Sequence, residues 1–593
     1  MTKVANFKAS LETDTPVAAA EAIDIHDVLP AGFIARRDGI YQVVSDDDGQ
    51  TEEFWLCPPL SVTKRLSNSI GEGWSRLVEF TDPAGRKHDM VISDALLSAK
   101  PAAVISDLRY KGFNLKSTLK IKNAFISFLA TSEPTVHALL TNRTGWSDDN
   151  CTAFVLGDKS VIGNPNVHFV PETDVSVAAD MKKAGDVSEW RETIGRLCKG
   201  NPLLILGVSL AFAGPLLDLL KIEGGGLHFR GASSRGKSTV LRVATSVWGG
   251  PRFMRSWRST ANGLEGVAAS CSGTLLALDE IGEAVGSDVS KAAYMLANGT
   301  GKTRARSSGQ TIPAASWNTM VLSSGEISIA EKIAEGGGKV QKGQEIRLLD
   351  IEADARRYGA FDELHGSNDA AALAERLKSA TATTYGSAGP ALVERILRID
   401  RLRFTATAEK NIARFRDTAT RDLNLNEDGQ TKRAVTRFAL AAWAGEVATK
   451  SGLTGWSTHS ATNAALLVLG EWADSRTNGD ALVEREAVER IRAFLLATAS
   501  TRFQQVGGAT TVQEMDRAGW RDAEKFYFCR DTWEEIHRGI DATQAARYLR
   551  TAGFLIPGDG DNLARRTPHG VPDRPRLYTI RGTILVSANA VKH

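Results

Sequence analysis

Cysteine is scarce. Five occur in 593 residues (Cys57, Cys151, Cys198, Cys271 and Cys529), and no two form a Cys-x-x-Cys pair. That spacing offers neither a zinc framework nor a disulfide scaffold, and it fits a reducing cytoplasm. Charge of one sign is not in excess either. The 72 basic and 70 acidic residues leave +2, so any basic surface must be local. Residues 1–24 have no apolar h-region, which argues against a signal peptide. Long apolar runs are missing, with one near case. Residues 202–217, PLLILGVSLAFAGPLL, carry no charge, but a spanning helix needs about 20 such residues. Pro215 lies inside the run and Asp218 ends it. A buried core helix is expected there, and no membrane. An apolar share of 42% and a charged share of 24% exclude a wholly disordered or collagen-like chain. At roughly 150 residues per domain the length suggests about four units.

What is present divides the chain. Residues 1–22 read as a flexible polar tail. Phe33–Arg36 and Ile40–Val44 flank Arg37-Asp38-Gly39, and Ser75–Phe80 and His88–Ile92 flank Asp82-Pro83-Ala84-Gly85. Both patterns predict hairpins. Residues 102–140 read as helices and 151–170 as short strands, so 23–190 is expected to be an α+β domain. Over 191–365, helical stretches alternate with short apolar strands, the pattern of a mostly parallel α/β sheet. Residues 366–519 read mainly as helices, with Ala370–Thr381 and Lys432–Lys450 rich in Ala at 3.6-residue spacing. In 520–593 a strand (Phe526–Phe528) precedes a helix, Asp541–Ala552, closed by Gly553. Phe554–Ile556 and Leu577–Ile580 then predict a hairpin. Helix followed by hairpin is a winged-helix-like layout.

One motif stands out. Gly231-Ala232-Ser233-Ser234-Arg235-Gly236-Lys237-Ser238-Thr239 matches G-x-x-x-x-G-K-[ST]. A short strand, Leu227–Arg230, precedes it, and a helical run from Ser238 to about Trp248 follows. Glycines let backbone N–H groups curl around phosphate oxygens, and the helix N-terminus adds partial positive charge. Lys237 is expected to reach the β and γ phosphates of ATP and Ser238 to coordinate Mg²⁺.

A nucleotide hydrolase also needs a carboxylate for the metal and a base for water. Thr274–Leu278 predicts a buried strand ending in Asp279-Glu280, and ligands bind at the C-terminal ends of such strands. Asp279 is expected to support Mg²⁺ and Glu280 to polarise the attacking water. The next strand, Trp317–Leu322, ends in Ser323-Ser324-Gly325-Glu326. Ser323 and Ser324 both qualify as a γ-phosphate sensor, with Ser324 preferred. Arg347 lies just beyond, where ring ATPases often carry a finger for the neighbouring subunit's nucleotide.

These marks together resemble the bacterial mobile-element and phage helicase family designated domain of unknown function 927, whose members look like minichromosome-maintenance-type AAA+ helicases or primase-helicases. The resemblance runs from about Gly32 to Tyr578. It includes Arg143-Thr-Gly-Trp146, the phosphate loop, Ser256–Glu265, Leu278–Gly282, Asn298–Ala305, Leu322–Glu326 and Gly343–Arg347. It implies an α/β fold: a P-loop AAA+ ATPase core (191–365), a helical lid or linker region (366–519) and a C-terminal winged-helix-like domain (520–593). It further implies a homo-hexameric, ATP- and Mg²⁺-dependent helicase acting on single-stranded and forked DNA, with a primase or replication-initiation partner. Some relatives carry a primase domain ahead of this region. Only about 30 residues precede it here, so no primase activity is expected within the chain.

Related ring helicases project a hairpin into the central channel near the sensor strand. Lys302, Arg304 and Arg306 occupy that position, and cations there would track a phosphate backbone. Arg565, Arg566, Arg574 and Arg576 make the wing loop basic against Asp573. Winged helices read DNA or dock proteins, and both roles stay open for this one. The leading expectation is a DNA helicase. The alternatives are a nucleotide-driven switch or defence ATPase without unwinding, and a small-molecule kinase. The acid pair argues against the kinase, which has no need of a water-polarising Glu.

Overall fold

The computed structural model describes residues 29–45, 50–171, 180–301, 304–305, 311–312, 314–337, 347–425, 428–509, 512–538, 540–560 and 562–586. The chain is mixed α/β and divides into two compact units, one ending at Val468 and one beginning at Leu469.

The first unit opens with a three-stranded antiparallel meander, Phe33–Arg36, Gly39–Ser45 and Thr51–Cys57. Its first hairpin is the expected one, turning at Arg37-Asp38. Gly39 is required there: its φ is +153° and a Cβ would lie 2.1 Å from the Cys57 carbonyl oxygen. A five-stranded sheet follows in the order Val167–Phe169, His137–Thr141, Leu60–Ser67, Ser75–Thr81, Lys87–Ser93. The expected hairpin at Asp82–Gly85 joins its last two strands. Helices Pro101–Tyr110 and Leu119–Thr131 close a core of Phe33, Val78, Phe125 and Phe128. The helical reading of 102–140 ran too far. His137–Thr141 is a strand, paired in parallel with both Leu60–Ser67 and Val167–Phe169. Its apolar run of Ala138-Leu139-Leu140 is too short for periodicity to separate helix from strand.

A second five-stranded sheet, all parallel, has the order Arg255–Ser256, Leu275–Asp279, Met320–Gly325, Gly225–Arg230, Leu348–Glu352. Such sheets are buried on both faces, which explains why their strands read as continuous apolar runs. The expected strand Trp317–Leu322 begins later, at Met320. Trp317 is buried ahead of it, and its indole N–H donates to the Leu296 carbonyl at 3.1 Å.

Among the described residues, one helix is long and apolar enough to cross a membrane, Pro202–Leu220, and it is buried. It packs against Lys237–Thr245 and against Gly429–Lys450. Pro215 cannot donate to the Ala211 carbonyl one turn back. The Trp248 indole N–H fills that vacancy at 2.8 Å, and the Trp146 indole donates to the Pro215 carbonyl at 2.8 Å. The proline is therefore tolerated inside the helix because two tryptophans are tied to it. Further helices run over Ala370–Thr383, Ala388–Leu397, Arg401–Asp422, Gly429–Lys450 and Ser460–Thr498.

The second unit is built on a sheet with the order Phe503–Gln505, Gly519–Arg521, Lys525–Phe528, Arg576–Arg581, Leu555–Ile556, with Arg565–Arg566 also paired to Arg576–Arg581. Helix Ala542–Thr551 begins at Asp541, whose carboxylate accepts from the Gln544 N–H at 2.9 Å. The expected hairpin is present, since Leu555–Ile556 pairs antiparallel with Arg576–Arg581. Phe503–Gln505, inside the stretch read as helical, is a strand of this sheet and lies ahead of residue 520. Phe503, Phe526, Phe528, Trp533 and Ile580 fill the core below it.

Candidate nucleotide-binding site

Strand Gly225–Arg230 leads into the loop and helix Lys237–Thr245 leads out. The loop can turn only because three residues accept left-handed backbone: Gly231 at φ +150°, Ser234 at +61° and Gly236 at +94°. Gly236 also lets the loop rest on Phe361, whose ring carbons would lie 2.9 Å from a Cβ. Ala232, Ser233, Ser234 and Arg235 are exposed or nearly so; Ser238 and Thr239 are half-buried. Lys237 is buried, and its ammonium donates to the Gly231 and Ala232 carbonyls at 2.7 and 2.6 Å.

Strand order brings the second half of the site here. The acid-pair strand Leu275–Asp279 is not adjacent to the loop strand. Met320–Gly325 lies between them, with Ser323 opposite both Leu278 and His228, and Ser324 opposite Phe229. Successive strand residues point to opposite faces, so the two serines part company. Ser324 donates to the Asp279 carboxylate. Ser238, from the loop helix, donates to the same carboxylate oxygen at 3.0 Å. The Glu280 N–H donates to the Ser324 hydroxyl at 3.3 Å. Glu280 itself has φ +57°, and its carboxylate accepts from the Gly282 N–H at 3.2 Å.

Ser323 belongs to a buried chain instead. The Trp257 indole donates to its hydroxyl at 2.8 Å, and the hydroxyl lies 2.8 Å from His228 Nδ1. His228 Nε2 lies 2.9 Å from the Ile327 carbonyl, which can only accept. Nε2 therefore carries a proton. Burial pushes the ring's pKa down to about 4.

Asp354, two residues beyond strand Leu348–Glu352, was not anticipated. Its carboxylate accepts from the Ala232 N–H at 2.7 Å, and a Cβ on Gly231 would collide with it. An acid at the end of an apolar strand was the only hint the sequence held.

Ser238 and Asp279 offer one hydroxyl and one carboxylate for a divalent cation. No group of three His, Cys, Asp or Glu suited to a metal occurs among the described residues. A hydroxyl and one carboxylate fit Mg²⁺ bound together with substrate phosphates, which needs few protein ligands.

Arg347 is not brought to this site. It precedes strand Leu348–Glu352, and its carbonyl accepts from Gly226 N–H at 2.9 Å, at the start of the loop strand. The phosphate loop follows the other end of that parallel strand, roughly 17 Å away at about 3.3 Å per residue. The guanidinium stacks over the Tyr294 ring at 4.4 Å and donates to the Tyr294 carbonyl and the Asn298 side chain.

Of the expected cationic hairpin, Arg304–Ala305 pairs antiparallel with Thr311–Ile312. Lys302 and Arg306 lie outside the described residues. In the second unit Arg565, Arg566 and Arg576 are exposed. Arg574 turns back, donating to the Thr567 carbonyl at 3.1 Å.

Residues 33–315 match the family model "Domain of unknown function (DUF927)". No curated protein matches the chain. Among solved structures, "SCCmec type IV Cch - active helicase" aligns with TM-score 0.68 at 18% identity, covering 94% of this chain and 99% of that one. At that identity the likeness shows a shared fold. The A-form apo structure of the "NrS-1 C terminal region" has 11% identity and covers 67% of this chain and 88% of that one. Its TM-score of 0.25 is too low to bear on the fold.

Proposed function

We propose that this chain, which carries a DUF927 domain over residues 33–315, is an ATP-dependent DNA helicase of a mobile genetic element, with a P-loop AAA+ core and a winged-helix-like end. One observation carries the reading. Ser238, Asp279 and Ser324, from three separate elements, share hydrogen bonds at the C-terminal edge of a parallel sheet, beside a phosphate-binding loop. The protein whose structure shares the fold is described as an active helicase, which supports the choice of motor over kinase.

Mg²⁺, when bound, supplies charge neutralisation at the β and γ phosphates. Ser238 and Asp279 would hold it. Lys237 leaves the Gly231 and Ala232 carbonyls and donates to phosphate oxygens. Glu280 orients and polarises the attacking water, and Ser324 keeps Asp279 and the Glu280 backbone in register. Arg347 acts on a neighbouring subunit's nucleotide, since roughly 17 Å separates it from its own loop. That assignment calls for a homo-oligomer, in our reading a hexamer. Lys302, Arg304 and Arg306 grip DNA in the channel, while the wing arginines help load it. A primase or replication-initiation protein is the expected partner.

Strand displacement on tailed and forked duplexes tests the reading. Wild-type chain should unwind with ATP and Mg²⁺, and Lys237→Ala should not. ATP hydrolysis without any displacement, on tails of either polarity, would favour the nucleotide-driven switch instead.

A further inference from the structure

The outer face of the N-terminal meander carries a stripe in which cations bracket aromatic rings. Phe33, Ile40 and Leu56 point inward to the core. On the opposite face Tyr41 sits directly across from Trp55. The Arg36 guanidinium lies 5.4 Å from the Tyr41 ring centre, and the Lys116 ammonium lies 4.9 Å from that of Trp55. Both residues are half-buried. Lys116 belongs to a stretch with no acid at all: residues 108–132 hold Arg109, Lys111, Lys116, Lys120 and Lys122. The stretch is drawn together locally, because Arg109 donates to the Leu115 carbonyl at 2.7 Å and to the Ser117 hydroxyl at 3.0 Å. Tyr110, in the same stretch, is 93% exposed.

Two acids touch the stripe itself. Glu53 pairs with Arg36 at 2.5 Å, and Asp38 accepts from the Tyr41 hydroxyl at 2.7 Å. The excess of cations is on the Lys116 side, where residues 108–132 hold no acid.

We infer that the Tyr41–Trp55 face binds a single nucleic-acid strand, with bases stacking on Tyr41 and Trp55 and phosphates passing Lys116 and rounding the edge of strand Thr51–Cys57 toward Lys120, whose ammonium lies 3.7 Å from the Phe54 ring centre, and the half-buried Lys122. Stackable rings interleaved with cations suit a single strand, whose bases are free to leave their own stack. A duplex offers phosphates but no free base faces. The inference rests on the proposed DNA-acting motor only for the choice of DNA as probe.

The test uses the full chain without nucleotide, reading fluorescence anisotropy of a labelled 20-residue oligo-dT, an abasic strand of equal length and a duplex. The triple variant Lys116→Gln/Lys120→Gln/Lys122→Gln, at two exposed lysines and one half-buried one, should bind oligo-dT at least about tenfold more weakly. Its salt slope should fall by about 2, at about 0.7 for each phosphate no longer neutralised. Tyr41→Leu should bind oligo-dT roughly fivefold or more weakly, the loss of one stacked base. It should also shrink the preference for oligo-dT over the abasic strand, which a merely structural loss would not do. The losses should persist when the wing arginines are also neutralised. Wild-type affinity in the triple variant overturns the proposal. So does equal binding of oligo-dT and the abasic strand by wild type, or displacement by polyglutamate as readily as by oligo-dT, either of which marks a face for acidic proteins. Because no nucleotide is present, a chain that proved not to unwind DNA would leave these binding results standing. Failure here would leave ATP hydrolysis intact.

Discussion

The hydroxyls of Ser238 and Ser324 both end on one oxygen of Asp279, and that convergence sets what single substitutions should do. Lys237→Ala should abolish ATP hydrolysis with little change in melting temperature. The two carbonyls it leaves belong to a loop open to water, which replaces the ammonium. Turnover by this variant would remove the central claim. Glu280→Gln should bind ATP and hydrolyse it roughly 10²- to 10⁴-fold more slowly, the usual range for a lost acid–base group. A loss within about twofold would reassign the role. His228 gives a pH test. Its pKa falls from 6.5 in the unfolded chain to about 4, so the unfolded state binds more protons between those values. Stability from this group is complete above pH 6.5 and drains away as pH falls toward 4, by at most roughly 3 kcal/mol. Urea titrations at about pH 7 and about pH 4.5, either side of most of that window, should show a smaller difference in His228→Gln than in wild type; an equal difference would mean the ring titrates normally. The sequence left both Ser323 and Ser324 open, with Ser324 preferred, because both follow the same apolar run. Strand register separates their surroundings: the residue facing His228 joins the buried chain, and its neighbour donates to Asp279.

At the scale of elements, what the sequence revealed were the local patterns: both N-terminal hairpins, the loop between strand and helix, and the buried helix Pro202–Leu220. What it hid were partnerships across long separations. His137–Thr141 is a strand because two others lie beside it, and Asp354 reaches the phosphate loop from 122 residues away. Phe503–Gln505 joins its sheet in the same manner. That strand affects the design of tests. Deleting 520–593 would strip Phe526, Phe528 and Ile580 from a core shared with Ile491, Leu495 and Phe503. Exposed apolar surface would follow, so substitution is the cleaner probe of the wing. Neutralising Arg565, Arg566 and Arg576, all exposed, should weaken DNA loading and lower the salt slope by about 0.9 for each duplex phosphate left without its cation. Basal hydrolysis should be unchanged. Neutralising Lys302, Arg304 and Arg306 should instead impair unwinding and DNA-stimulated hydrolysis while DNA-free hydrolysis survives. If both sets gave the same phenotype, the division of labour between hairpin and wing would fail.

At the scale of the whole molecule, the parallel sheet sets the test of the proposed assembly. The loop strand and the strand after Arg347 run side by side in the same direction, with Arg347 at one end and the phosphate loop at the other. No side-chain rotation spans roughly 17 Å. Either Arg347 is a structural side chain, stacked on Tyr294 for packing alone, or it acts on another copy. Mixing separates the two. Arg347→Ala subunits keep an intact phosphate loop and lack the finger; Lys237→Ala subunits lack the loop lysine and keep the finger. Each alone should hydrolyse ATP poorly. In a mixed ring, an Arg347→Ala site lying beside a Lys237→Ala neighbour is complete, so hydrolysis should recover in part and should vary with the mixing ratio. Arg347→Lys should restore little, because a lysine keeps the charge and loses the planar fork that pairs with phosphoryl oxygens. Sedimentation in ATP supplies the second readout. Recovery with an oligomer in the cell supports action in trans. A monomer with no recovery would return Arg347 to Tyr294 and Asn298, and would take the ring with it.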